Sequence, residues 1–177
     1  MICLRPAVEA DVAAMARVQV DTRRATYAAF YPVELLMQMS YEKTARAWRR
    51  NLFEAPARPG VFAFLAETRP GEVVGIAIGG PAADQDPLYT AEIYVLYILP
   101  SSQRQGIGRR LVETCACRLR EDGHQALIIW VLEANPARGF YERLGGKLAR
   151  VKTVDLGGYM LCEAGYGWDD LSILARE

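Results

Sequence analysis

The stretch Ala91-Glu92-Ile93-Tyr94-Val95-Leu96-Tyr97-Ile98-Leu99-Pro100-Ser101-Ser102-Gln103-Arg104-Gln105-Gly106-Ile107-Gly108 decides the fold, because it reads as an apolar strand that turns, through a glycine-bearing loop, into a helix. Ile107, Leu111, Cys115 and Leu119 then recur at four-residue spacing, which predicts an amphipathic helix with one buried stripe. The first four N–H groups of a helix have no internal partner, and the dipole is positive at that end. Residues 103–108 therefore form a cradle for an anion, with pyrophosphate the natural occupant. Gly106 and Gly108 permit backbone angles and close approach that a Cβ would block, and Gln103, Arg104 and Arg109 can add side-chain donors. Two commoner phosphate binders are disfavoured. A dinucleotide fingerprint needs a third glycine where Leu111 stands, and a P-loop needs a Lys-Ser or Lys-Thr pair that is missing after Gly108. A glycine-rich turn with no ligand would read the same from this hexapeptide alone.

Residues before the cradle predict a short strand over 2–5 and a helix over 8–30, spaced through Val12, Met15 and Val18 with Glu9 and Asp11 at its start. Pro32 ends that helix. A second helix over 41–53 places Ala45, Trp48 and Leu52 on one face, and a Pro-rich loop over 54–60 leads to a sheet. Runs over 61–67 and 72–79 flank Thr68-Arg69-Pro70-Gly71 as an antiparallel hairpin, followed by a loop over 82–87 and the strand of 90–99. Past the cradle helix, which Asp122-Gly123 ends, come a buried strand over 126–132 and a short helix over 136–144 closed by Gly145-Gly146. An antiparallel pair over 147–156 and 159–168 completes the order.

Length fits one domain over residues 1–177, with enough chain for a sizeable core. Hydrophobic residues make up 51% and charged residues 24%, the balance of an ordinary globular chain. Lys plus Arg and Asp plus Glu are 21 each, so no global field recruits nucleic acid or an anionic membrane, and an acidic ligand must be held locally. Cys115 and Cys117 lie about 200° apart around a helix, which suits neither a disulfide nor a zinc site; with Cys3 and Cys162 they read as reduced thiols. There is no charged-then-apolar leader and no run of about 18 apolar residues, so a cytoplasmic protein is expected.

The form Gln103-x-x-Gly106-x-Gly108, preceded by a strand and Pro100, resembles the acyl-CoA-binding motif of the GNAT superfamily of N-acyltransferases. A second stretch, Asn135-Pro136-Ala137-Arg138-Gly139-Phe140-Tyr141-Glu142-Arg143-Leu144-Gly145, is similar to that family's other diagnostic segment, and the element order agrees over nearly the whole chain. The resemblance implies an α/β (α+β) fold, with a mixed, mostly antiparallel central sheet flanked by helices on both faces. It implies acetyl-CoA as co-substrate without a metal. Gln103, Arg104, Gln105, Gly106, Ile107, Gly108 and Arg109 would hold the pyrophosphate. The backbone of Tyr97, Ile98 and Leu99 would pair with the pantetheine amides, and Asn135 and Phe140 would also touch the cofactor. Asn135 before Pro136 independently reads as an N-cap followed by proline at the first helical position. Two departures stand out: Arg104 where the family often has glycine, and Gly146 where it usually has phenylalanine.

Acetyl transfer from a thioester to an amine needs the amine deprotonated, the carbonyl polarised and the thiolate stabilised. Glu92 is the candidate base: in an alternating strand it shares a face with Tyr94, Leu96 and Ile98, where apolar neighbours would raise its pKa. A glutamate at a strand start that simply faces water would look identical. Tyr141 matches the family tyrosine near the thioester sulfur and is the candidate acid. The acceptor pocket is expected from the first two helices and the last strands, with Tyr27, Tyr31 and Trp168 bound to substrate and Glu34, Trp48, Tyr159 and Tyr166 available beside them. His124 reads as a surface loop residue. The expected acceptor is the primary amine of a small molecule; a protein N-terminus or lysine is the first alternative, and a CoA-binding sensor without catalysis is the second. The exposed edges of a mixed sheet also allow a homodimer.

Overall fold

The computed structural model describes residues 2–54, 58–84 and 86–174. The middle of the expected 54–60 loop and residue 85 of the 82–87 loop lie outside the described residues. Elements run β1 (Cys3–Pro6), α1 (Val12–Tyr27), α2 (Val33–Met37), α3 (Tyr41–Leu52), β2 (Phe62–Glu67), β3 (Val73–Pro81), β4 (Ala91–Ile98), α4 (Ile107–Glu121), β5 (Leu127–Leu132), α5 (Arg138–Arg143), β6 (Lys147–Leu156) and β7 (Tyr159–Trp168). The seven strands form one sheet in the order β1-β2-β3-β4-β5-β7-β6. Only β4 and β5 pair in parallel, so the sheet is mixed and mostly antiparallel, as expected. The segment after Pro32 differs from the sequence reading. Instead of leading directly to the second helix, it folds into the short α2, with Pro32 as its cap.

Helices cover both faces. Met15 and Val18 of α1 pack on Leu65, Ile76 and Ile78, joined by Trp48 and Leu52 of α3. Ile107, Leu111, Cys115 and Leu119 of α4 pack on the alternate residues Ala66, Val74, Ala77 and Ile93. Each fully buried aliphatic side chain in that stripe contributes about 1.5–3 kcal/mol, so the same residues that follow the cradle anchor its helix to the sheet. Cys115 is buried in this stripe and Cys117 is exposed, as their angular separation requires.

Two irregularities of β4 create the site. The register slips between Ile78, opposite Val95, and Gly79, opposite Ile93, which leaves Tyr94 as the extra residue of a bulge. The bulge reverses the phase of side-chain alternation. Tyr94, Val95 and Tyr97 therefore pack on the α1 face, whereas Leu96 and Ile98 pack on the α4 face. This corrects the expectation that Glu92, Tyr94, Leu96 and Ile98 share one side, because simple alternation holds only without a bulge. The second irregularity is a splay. β4 pairs with β5 only at Ala91↔Leu127 and Glu92↔Ile128, and beyond Glu92 the strands separate.

Candidate active site

The splay opens a cavity of about 930 Å³ that passes from the cradle on the α4 side, between β4 and β5, to the C-terminal end of α1. Its first end is built by backbone. Gly106, at φ +77°, caps α4, and its carbonyl accepts the N–H of Arg110, leaving the N–H groups of Ile107, Gly108 and Arg109 ahead of the first helical bond. A Cβ on Gly108 would stand 3.2 Å from Phe140 Cζ and 3.3 Å from Ile98 Cδ1, so glycine is needed for the packing of α4 against α5 and β4. Arg104 sits at φ +59°, a left-handed conformation costly for any residue with a Cβ, at the position where glycine would be free of strain. Gln103, Arg104, Gly106, Ile107, Gly108 and Arg109 all line the cavity, and Gln105 does not. Gln103 Nε2 donates to the Ile98 carbonyl at 2.9 Å, so its side chain braces the loop against β4.

The middle of the cavity is the open edge of β4. Leu99 N–H donates to Val74 O at 2.9 Å, and antiparallel alternation then turns the backbone of Tyr97 toward β3 as well. The backbone groups of Leu96 and Ile98 face the gap instead. That revises the expectation for Tyr97 and Leu99, whose ladder groups are already spent; Leu99 does not line the cavity, and Tyr97 lines it through its side chain.

Tyr141 and Phe140 enter from α5 with ring centroids 5.2 Å apart, and Tyr141 stacks on Tyr166 at 5.8 Å. Among the described residues no protein group hydrogen-bonds to the Tyr141 hydroxyl. Burial raises its pKa above the ordinary 10, with neighbouring Tyr97 a smaller cause, so the phenol keeps its proton at neutral pH. Asn135 Oδ1 accepts from Ala137 N–H at 2.8 Å, and the helix starts only at Arg138. The residue therefore holds a turn ahead of the helix instead of capping it, because the short Asx turn uses the carboxamide first and Pro136 stays outside the helix. Asn135 nevertheless lines the cavity.

At the α1 end, Tyr27 and Tyr31 stack at 4.6 Å and line the cavity. Trp168 does not. It is 1% exposed, and its Nε1 donates to Leu144 O at 3.0 Å. A Cβ on Gly146 would stand only 2.6 Å from Trp168 Cζ2, so the indole fills the space opened by glycine at that position and belongs to the core. Glu92 is not among the lining residues either. Its Oε2 accepts from Ala83 N–H at 3.0 Å, and burial pushes its pKa up while that N–H and Lys152 pull it down.

Three charged residues that the sequence did not single out line the cavity: Arg23 of α1, Arg143 of α5 and Glu163 of β7. Burial raises the Glu163 pKa, with Lys152 opposing and Asp84 reinforcing the rise; Lys152 itself is held by Asp84 at 2.8 Å. Arg23 lies 5.7 Å and 5.9 Å from the ring centroids of Tyr27 and Tyr31. The spacing of Arg23, Tyr27 and Tyr31 at four-residue intervals was a readable helical signal. Glu163 gave none, because alternation in β7 is interrupted by Gly165 and Gly167. Among the described residues, no helix is long and apolar enough to cross a membrane, and no group of His, Cys, Asp or Glu could hold a metal ion.

Known proteins resemble this chain in sequence and in fold. The profile of the acetyltransferase (GNAT) family matches residues 21–146. YuaI of Bacillus subtilis, an uncharacterized N-acetyltransferase, is 33% identical over 98% of this chain and 96% of its own length. An N-acetyltransferase from Staphylococcus aureus superposes with a TM-score of 0.71 at 22% identity, covering 97% of this chain and 99% of its own. YncA of Salmonella typhimurium, solved with its cofactor acetyl-CoA, does so with a TM-score of 0.68 at 20% identity, covering 96% and 94% respectively.

Proposed function

Since the chain belongs to the acetyltransferase (GNAT) family, we propose that it passes the acetyl group of acetyl-CoA directly to the primary amine of a small molecule within a ternary complex, as one domain over residues 1–177. The observation that carries this reading is the continuous cavity, with an anion cradle at one end and a tyrosine-lined, charged pocket at the other. The pyrophosphate of acetyl-CoA would lie on the N–H groups of residues 107–109 with Arg104 and Arg109 beside it, and pantetheine would run along the open edge of β4. A phosphate-bearing ligand fits the cradle's chemistry, because Gly106 turns the chain with no Cβ over it and the N–H groups of residues 107–109 precede the first helical bond.

The reaction forms an N–C bond at the thioester carbonyl and breaks the C–S bond, with the amine proton leaving to a base. Strand N–H groups at Leu96 and Ile98 would polarise the carbonyl as charge develops on its oxygen. Glu163 would take the proton directly, while Glu92, set back behind Ala83, would act through a water. The raised pKa of each carboxylate brings it closer to that of a useful base. Tyr141 would donate a hydrogen bond to the sulfur. Its pKa lies above the roughly 8.5 of a thiol, so complete transfer of the phenolic proton is uphill and stabilisation of the thiolate is the main effect. The end lined by Tyr27, Tyr31, Arg23 and Glu163 offers a small acceptor a few aromatic and charged contacts, which is what supports a small molecule as the acceptor.

Calorimetric titration with acetyl-CoA tests the reading. Binding in the micromolar range is expected for the wild type. In Gly106→Glu, which forces a Cβ to φ +77° and sets a carboxylate in the cradle, affinity should fall at least about a hundredfold. Equal binding in both proteins, or none in the wild type, would overturn it.

A further inference from the structure

The α1 end of the cavity holds a charge that the protein does not neutralise. Arg23 lines the main cavity and also a second one of about 540 Å³ beside α3, standing with Tyr31 between the two. No ion pair among the described residues involves Arg23. Its Nε is buried without a hydrogen-bond partner, and so is Oγ1 of the adjacent Thr22, which lines the same cavity. Asp155, the carboxylate that lines the second cavity, accepts from Gly158 N–H at 2.6 Å.

A guanidinium withdrawn from water is costly unless an anion meets it. Stacking beside Tyr27 and Tyr31 compensates its face through the ring quadrupoles, and Tyr31 is also a hydrogen-bond neighbour, but the Nε edge is left without a partner. That edge is a planar fork that matches a carboxylate with two parallel hydrogen bonds. CoA phosphates are an unsuitable counterion, since the cradle lies on the α4 face with Arg104 and Arg109, whereas Arg23 projects from the helix on the opposite face. Within the same cavity Glu163 supplies the complementary negative charge.

Resting on the acetyl-transfer reading above, we infer that the acceptor is an amino acid or a similar amine bearing one carboxylate, with that carboxylate held by Arg23 and Thr22 and the amine turned toward Glu163. Arg23 is then the specificity-determining residue of the acceptor pocket. Tyr27 and Tyr31 hold its guanidinium in one orientation, so the site is set before substrate arrives.

The test compares kcat/KM for L-α-amino acids and for ω-amino acids of two to five methylenes with the values for their carboxamides, in the wild type, Arg23→Gln and Arg23→Lys. The wild type should prefer at least one acid over its amide by about tenfold to a hundredfold, the range of a charged hydrogen bond. In Arg23→Gln that ratio should collapse through KM with the acetyl-CoA Kd unchanged, and Arg23→Lys should recover part of it. A wild-type ratio at or below one for every pair, or a ratio preserved in Arg23→Gln, overturns the inference without using folding as an excuse, since the first needs no variant. Weaker acetyl-CoA binding in Arg23→Gln also overturns it, by assigning the arginine to the cofactor. Absence of acetyl-CoA binding in the wild type is a separate result, and it removes the underlying reading itself.

Discussion

The two ends of the cavity are made of different material. The cradle end is backbone: a left-handed glycine, a helix start and an uncovered strand edge, all contributed by residues 96–109. The proposed acceptor end is side chain, and the charges of Arg23 and Glu163 come from α1 and from β7, near opposite ends of the chain. A site made of local backbone depends on a few glycines and the packing beneath them. One made of distant side chains depends on the splay of β4 from β5, which brings them to one space. The first can recur wherever the same turn is built, and the second can change its ligand by single substitutions, which is how a shared cofactor site and a private acceptor site can coexist on one fold.

The comparison is tested most severely at Tyr141, which stands between the ends. Tyr141→Phe should lower kcat about a hundredfold, the low end for removing one hydrogen-bond donor from a developing anion, while the acetyl-CoA Kd stays the same. If Kd changes with kcat, Tyr141 belongs to the cradle end instead. Steady-state kinetics with a parallel titration decide between them.

A smaller effect is expected in the pH profile. The base must be ionised, so kcat/KM should fall as pH drops through a carboxylate pKa that burial has raised above its ordinary 4.3. Glu163→Gln should erase this acid limb, whereas Glu92→Gln should leave its position unchanged and lower only its height; the reverse pattern would make Glu92 and its water the base. Stability gives the opposite sign. A carboxylate whose folded pKa exceeds its unfolded one loses stability as pH rises through that window, so at neutral pH the ionised Glu163 is a cost. Glu163→Gln should therefore raise Tm slightly, by no more than the 2–4 °C that about 1 kcal/mol produces in a chain of this size.

The smallest effect is at Arg104. Glycine there removes about 1 kcal/mol of left-handed strain and should raise Tm by a few degrees, while loss of one donor weakens acetyl-CoA binding by no more than about tenfold. Larger loss would make Arg104 an equal partner of the backbone and blur the contrast between the ends.

The same contrast explains what could be read before the structure. The strand, the Gly106 turn and the stripe from Ile107 to Leu119 are local patterns with fixed periods, and each forms as its spacing predicts. The final hairpin was equally legible, since two alternating runs meet at Gly157-Gly158. The bulge at Tyr94 was not, because nothing in an unbroken apolar run marks which residue will lose its partner, and the facing of Glu92 went with it. Trp168 misled for a related reason. An aromatic residue near a predicted pocket is also a good core filler, and only the space left by Gly146 decides its role. Arg23 and Glu163 meet through a gap between strands, a property of the whole sheet that no window of sequence contains.

The most direct test of the account is the crystal structure of the protein with acetyl-CoA. The pyrophosphate should lie on the N–H groups of residues 107–109, with the thioester carbonyl within hydrogen-bond reach of the open edge of β4 and the sulfur facing Tyr141. A cofactor bound elsewhere, or one whose acetyl group points to solvent away from the gap between β4 and β5, would contradict it.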